Sequence, residues 1–248
     1  MKRRVSVDIL GMRVDHVSTV DVLGKVDEYI TEGGRKTIMY ANVHVINQAL
    51  GDPALMDMVN RANLIYPDGY GVVLGARLIG KELPPRMTGA DWIHDLCRHA
   101  VRKGHTLYIV AGEPGTALKA GEVLTGQYEG LKIVGTYDGF FHARGESEEL
   151  FEDINTKKPD IVLIGMGTPI QEKFTDENRS RMEVPVCWVV GALFDFVAGK
   201  ARRGPRWMLD NGMEWLCRLV YEPGRMWKRY LVGNSLFLIR ILLQRILR

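Results

Sequence analysis

Only three cysteines, Cys97, Cys187 and Cys217, occur in 248 residues, and no two of them form a C-x-x-C pair. That scarcity excludes a disulfide framework and argues against zinc or iron–sulfur ligation, so reduced, buried thiols are expected. No apolar run approaches the roughly 18 residues of a membrane span, which excludes a polytopic membrane protein. Asp8 cuts the apolar stretch that follows Met1-Lys2-Arg3-Arg4, leaving no signal-peptide core. The expected location is therefore the cytosol or the cytoplasmic face of a membrane. Also missing are the P-loop, the G-x-S-x-G nucleophile elbow, H-E-x-x-H and any D-x-D pair. What is present is 46% apolar, 25% charged and 8% aromatic residues, the mixture of a globular protein rather than of a disordered or collagen-like chain. A chain of this length buries roughly 70–75% of its unfolded surface, enough for one large α/β domain with an appendage.

Apolar, β-branched runs alternate with stretches of helical period. Strands are predicted at 6–10, 37–41, 63–66, 106–111, 132–137, 160–165 and 186–190, and helices at 18–31, 43–61, 70–80, 89–103, 115–128, 147–157 and 170–181. Ser18 with Asp21 reads as a capping box, and Gly33-Gly34 closes that helix. The alternation predicts βαβ units and a mostly parallel sheet in an α/β core over 1–199, with ligands at the carboxyl ends of the strands. From Arg206 only helical patterns remain, punctuated by Pro223-Gly224 and Gly233-Asn234.

Net charge, +3 for the chain, is unevenly spread. Residues 200–248 hold eleven Lys or Arg against three acids, a net +8, together with Trp207, Trp215 and Trp227. Such asymmetry points to an anionic partner. In the last fourteen residues Arg240, Gln244 and Arg248 form one polar stripe, while Leu236, Phe237, Ile239, Leu243, Ile246 and Leu247 cover most of the rest. A helix of that length rises about 21 Å, too little to cross the roughly 30 Å hydrocarbon core. It suits an anionic membrane surface, and the alternative is docking on the protein's own core or on a partner subunit. So wide an apolar face is of no use to a nucleic-acid-binding tail, and no nucleic acid is expected.

Three loops place polar groups at predicted strand ends: Tyr40-Ala41-Asn42-Val43-His44, Tyr66-Pro67-Asp68-Gly69-Tyr70-Gly71 and Gly165-Met166-Gly167-Thr168-Pro169-Ile170-Gln171-Glu172-Lys173. Each runs into a helix, a geometry suited to an anionic ligand. Asp68, between Pro67 and Gly69, reads either as a turn former or as a general base projecting into the ligand crevice. The third position of a G-x-G-x-x-G fingerprint is Ile170 in one loop and Leu74 in the other, which disfavours NAD. His44, His94 and His99 lack zinc spacing, so no metal and no cofactor is expected.

Taken together, Asn42, Pro67-Asp68-Gly69, Pro85-Arg86-Met87-Thr88-Gly89, Gly165-Met-Gly-x-Pro-x-Gln171-Glu172, Gly191-Ala-x-Phe194-Asp195-x-x-x-Gly199 and Glu214-Trp-x-x-Arg218-Leu with Glu222-Pro-x-Arg225 resemble the WecG/TagA/CpsF family of bacterial glycosyltransferases. The resemblance runs in the family's order over about residues 8–232 and implies that the α/β core is Rossmann-like. It implies an inverting, metal-independent transfer of a hexose or N-acetylhexosamine, or its uronic acid, from a UDP-sugar to a polyprenyl-diphosphate-linked saccharide. The setting it implies is cell-surface polysaccharide assembly at the cytoplasmic face of the bacterial inner membrane.

By position, the resemblance makes Asp68 the catalytic base, with Asn42 and Arg86 beside it. Tyr40, Gly69, Thr88, Gly167, Gln171 and Asp195 fall on substrate-binding positions. Arg218, Arg225 and Lys228 fall on the basic, helical, membrane-associating appendage, here 200–248, that meets the lipid diphosphate. Tyr40 departs from the family's usual threonine. A homo-oligomer stays open, and the competing reading is a non-catalytic binding protein for a nucleotide sugar or lipid carrier.

Overall fold

Six parallel strands in the order β4-β3-β8-β7-β5-β6 form the central sheet of the computed structural model, which describes residues 5–141 and 147–247. They are β3 (Lys36–Ala41), β4 (Leu64–Pro67), β5 (Thr106–Ala111), β6 (Lys132–Tyr137), β7 (Ile161–Gly165) and β8 (Val186–Val189). The inner strands β7 and β8 are buried at every residue, which is why they read as unbroken apolar runs rather than alternating ones.

Helices cover both faces: α1 (Thr19–Glu32), α2 (Val43–Gly51), α3 (Pro53–Arg61), α4 (Tyr70–Leu78), α5 (Gly89–Lys103), α6 (Thr116–Gln127), α7 (Ser147–Lys157), α8 (Ile170–Asn178) and the short α9 (Leu193–Val197). The Ser18–Asp21 capping box at α1 is complete. The single helix expected over 43–61 is two, because Pro53 cannot continue the first one. Asp52 caps the second instead, its carboxylate accepting from the Leu55 amide at 3.2 Å.

The first predicted strand stands apart from the main sheet. β1 (Ser6–Ile9) pairs antiparallel with β2 (Met12–Asp15), a four-residue strand that the periodicity misses. Leu10 and Gly11, with φ of 54° and 87°, make the tight connection that this hairpin needs.

Beyond residue 200 come α10 (Arg206–Asp210), α11 (Glu214–Tyr221), α12 (Pro223–Trp227), a π-helical turn (Lys228–Val232) and α13 (Gly233–Ile246). Here the structure corrects the expected break at Gly233-Asn234: helix runs without interruption from Pro223 to Ile246, with Gly233 at φ −64°. Gly233 lies against α2, where the Asn47 side-chain amide donates to its carbonyl at 2.8 Å.

α13 docks through part of each face. The polar stripe turns inward: Arg240 donates to the Asn47 side-chain oxygen at 2.8 Å, and Gln244 accepts from the Leu10 amide at 3.2 Å and donates to the Asp8 carboxylate at 3.1 Å. Arg248 lies outside the described residues. Phe237 and Ile241 are buried on α4 at Gly75, where an added Cβ would come within 2.7 Å of the Phe237 ring. The opposite face stays open, with Leu236, Ile239, Leu243, Ile246 and Leu247 exposed. No helix among the described residues is long and apolar enough to cross a membrane.

Candidate active site

The carboxyl ends of β3, β4, β7 and β8 meet at one place, and two stacked tryptophans hold its floor. Trp92 and Trp188 lie parallel with centroids 4.3 Å apart, and Tyr66 packs edge-on to both. Tyr66 is two residues before Asp68, so this cluster fixes the stem from which Asp68 projects. Gly69 follows at φ 79°, a left-handed turn that opens α4, and the Asp68 amide donates to Ala41 at 2.8 Å. β3 and β4 are thereby locked in register at the site.

Asp68 and Asn42 face one another. Asn42 caps α2, its side-chain oxygen accepting from the Val45 amide at 2.9 Å, and its side-chain nitrogen donates to the Asp68 carboxylate at 2.9 Å. A helix cap thus orients a carboxylate. Burial is the main cause that pushes the Asp68 carboxyl up to about 6. Glu214 adds to the rise, while Asn42, Arg229 and Arg218 oppose it. His44, the second residue of α2, is held down to about 4 by burial and by Arg229 and Arg218, so it is a neutral imidazole at pH 7.

Beneath this pair lies a buried polar clasp. The Gln171 side-chain oxygen accepts from the Gly191 amide at 3.1 Å and the Gly167 amide at 3.3 Å, and its nitrogen donates to the Tyr40 hydroxyl and to Glu172, each at 2.9 Å. Gln171 is fully buried and Tyr40 nearly so. Both residues therefore sit under the site, tying the loops after β7 and β8 to β3. Tyr40, in place of the family's threonine, extends far enough to make that tie. Gly167 is half-buried in the same loop, at φ 83°.

The remaining expected residues join the C-terminal segment to this centre. Arg86 donates to Thr88 at 2.5 Å, to the Leu209 carbonyl at 2.6 Å and to Glu214 at 3.3 Å, which fastens α10 and α11 onto the loop before α5. Its guanidinium, with Thr88, is already engaged by protein. Asp195, on α9, is raised by burial against the opposing pull of Arg225 and Lys200. Arg225 is exposed and paired with Glu222 at 3.0 Å. Arg218 stacks over the Phe196 ring at 5.3 Å and acts on Asp68, His44 and Asp195. Lys228 turns outward, its ammonium 5.5 Å from the Trp227 ring centroid. Its neighbour Arg229 instead acts on Asp68, His44 and Tyr40. Arg229 is missed by the sequence reading, and His44 and Glu214, though inside the quoted loop and motif, are given no role there; all three depend on which way a helix faces.

A cluster with metal-ligating side chains lies elsewhere, where α1 meets the end of α5. Asp27 accepts from His99 at 2.7 Å and His105 at 2.8 Å, and Lys103 approaches its second oxygen at 3.2 Å. His99 gained its partners through folding, since neither is near it in a zinc-like spacing. Partial burial works to raise the Asp27 carboxyl, but the hydrogen bonds from His105, His99 and Lys103 outweigh it and hold it at about 2. The carboxylate is thus already matched by three donors. A depressed carboxyl contributes stability that is complete above its unfolded value near 4 and is lost as pH falls towards 2. Asp27→Asn is accordingly expected to lower Tm by about 5 °C at pH 7, with the gap to the parent protein closing in acid, as measured by calorimetry.

With this geometry in view, comparison with known proteins decides the family. The profile of the glycosyl transferase WecG/TagA/CpsF family matches residues 7–248. The chain belongs to that family. Two relatives carry the same name, N-acetylglucosaminyldiphosphoundecaprenol N-acetyl-beta-D-mannosaminyltransferase. The protein from Bacillus subtilis (strain 168) is 30% identical over 214 residues, which span 86% of this chain and 81% of that one. The one from Bacillus spizizenii is 29% identical over 203 residues, 82% of this chain and 77% of that one. The WecG/TagA/CpsF chain described here is thus a glycosyltransferase whose strand-end cluster brings together a carboxylate, an amide, a neutral imidazole and two arginines.

Proposed function

We propose that this protein transfers N-acetylmannosamine from its UDP derivative to an N-acetylglucosamine carried on a polyprenyl diphosphate, with inversion and with Asp68 as general base. The acceptor and the transferred sugar follow the names of the two relatives, and the β-linkage in those names is the product expected when an α-linked UDP-sugar reacts with inversion. The observation that carries the reading is the Asp68 carboxylate itself: held by Asn42, at the opening of the crevice, with its pKa pushed up to about 6. Such a group is ionised at pH 7 yet basic enough to take the acceptor hydroxyl's proton as that oxygen attacks the anomeric carbon. The electron pair of the broken glycosidic bond leaves on the UDP diphosphate, and arginine guanidinium groups stabilise that growing charge without a metal.

The competing reading makes Asp68 only a turn former in a binding module. A turn former bonds its own loop backbone, whereas the Asp68 carboxylate accepts from Asn42 on a different element. The pH profile separates the two. Protonation removes the base, so kcat/KM is expected to fall tenfold per unit below about pH 6; a flat profile from pH 5 to 8 would reject the base assignment. Activity is also expected to survive EDTA to within about twofold. Loss in EDTA that magnesium or manganese restores would assign the diphosphate charge to a metal.

The polyprenyl chain of the acceptor does not leave the bilayer, and the C-terminal helix is well suited to reach it. Its open face carries Ile239 at 55%, Leu243 at 51% and Ile246 at 77% exposure, beside the exposed Trp207, Trp215 and Trp227. Apolar burial combined with basic residues is how a helix rests on an anionic surface without crossing it. The protein is accordingly proposed to work at the cytoplasmic face of the membrane.

A further inference from the structure

Most arginines near the crevice have acidic partners: Arg86 has Glu214, Arg203 has Asp91 and Arg225 has Glu222. Arg218 and Arg229 do not. Each is partly buried, each has its Nε sealed from solvent without an acceptor, and neither makes a hydrogen bond or ion pair with any described residue. Each guanidinium lies over a ring instead, Arg218 over Phe196 at 5.3 Å and Arg229 over Tyr230 at 5.7 Å. Asp68 and, for Arg218, Asp195 are within electrostatic reach but accept no hydrogen bond from either arginine. Partly buried donors left without acceptors are costly to the fold. An anion bridging the two would supply those acceptors.

The position of Arg229 depends on one local feature. Between α12 and α13 the helix widens into the π turn Lys228–Val232, which holds an extra residue relative to an α-helix and shifts the phase of what precedes α13. α13 cannot rotate to absorb the shift. Phe237 and Ile241 are buried on α4, and Asn47 grips both Gly233 and Arg240. On that turn Arg229 acts on Asp68 and His44, while Lys228 stays outside over Trp227.

We propose that Arg229, presented by the π turn, pairs with Arg218 to form the site for a substrate diphosphate beside Asp68. The assignment rests on the transferase reading above and names a residue for it. Guanidinium groups suit this ligand because their forked donors match phosphate oxygens two at a time. The diphosphate belongs either to the UDP donor or to the lipid acceptor, so both are used as probes.

Calorimetric titration of the full-length protein with UDP, UMP and a short-chain polyprenyl-diphosphate N-acetylglucosamine tests this, with thermal unfolding as the check on folding. Arg229→Gln is expected to weaken UDP or the lipid diphosphate at least about tenfold and to leave UMP within about twofold. Loss with UDP identifies the donor's diphosphate; loss with the lipid identifies the acceptor's. Arg229→Lys keeps the charge without the fork and is expected to fall between. Arg206→Gln, which removes one charge from a residue 93% exposed on α10, controls for net charge and is expected to match the parent protein. Unchanged affinity of folded Arg229→Gln for both diphosphates would overturn the proposal. Parent protein that binds neither diphosphate would overturn the transferase reading and this assignment with it.

Discussion

Asp68→Asn is expected to reduce turnover at least about a hundredfold while leaving UDP affinity close to that of the parent protein and Tm at neutral pH no lower. The size follows from removing a general base. The unchanged fold follows from the site: an asparagine oxygen can still accept from Asn42, and Asp68 is a carboxyl whose ionised form burial disfavours. A group of that kind weakens the folded state at neutral pH. Its pKa is raised, so its charge is less welcome in the fold than in the unfolded chain above about pH 4, and the amide removes that penalty. The residual activity of the variant should also lack the acid limb near pH 6. Turnover within a few-fold of the parent protein would return Asp68 to a turn-forming role.

The second large effect concerns the open face of α13. Converting Ile239, Leu243 and Ile246 to Gln is expected to release the protein from anionic liposomes, with binding reduced about a hundredfold or more. Burying one such side chain contributes about 1.5–3 kcal/mol, so three account for several kcal/mol. Substitution is a cleaner test than deleting the helix, since deletion would also strip Phe237 and Ile241 from α4 and break the contacts of Gln244 and Arg240 with the core. Activity should fall more with a long-chain lipid acceptor than with a short soluble one. Variants that still sediment with liposomes as the parent does would mean that this face packs on protein rather than on lipid.

Much of the sheet is legible in the sequence because fully buried strands must be apolar throughout, and glycine or polar loops bound them. The hairpin strand β2 is not legible: Met12-Arg13-Val14-Asp15 is short, and its buried Asp15 is balanced by the distant Ile65 amide, which donates to it at 2.7 Å. Asn42 and Asp68 could be found because each ends a strand and begins a helix, where the backbone alone sets the side chain's direction. Gln171 and Arg86 are harder to assign. Their hydrogen bonds reach Gly191, Tyr40 and Leu209, up to 131 positions away, so sequence cannot tell a ligand contact from an internal clasp. In the C-terminal helix the composition is clear but the phase is not. Gly233-Asn234 looks like a stop until Asn47 meets it, and on the π turn it is Arg229 rather than Lys228 that acts on Asp68. Helical phase past an irregular turn is set by tertiary contacts.

The most direct test of glycosyl transfer with Asp68 as base is UDP release by the full-length protein from UDP-N-acetylmannosamine, followed with and without a short-chain polyprenyl-diphosphate N-acetylglucosamine. The account predicts release that requires the acceptor, one β-linked disaccharide formed per UDP, and a rate that falls below about pH 6 in the parent protein but not in Asp68→Asn. UDP-sugar that binds yet yields no acceptor-dependent UDP at any pH would contradict it.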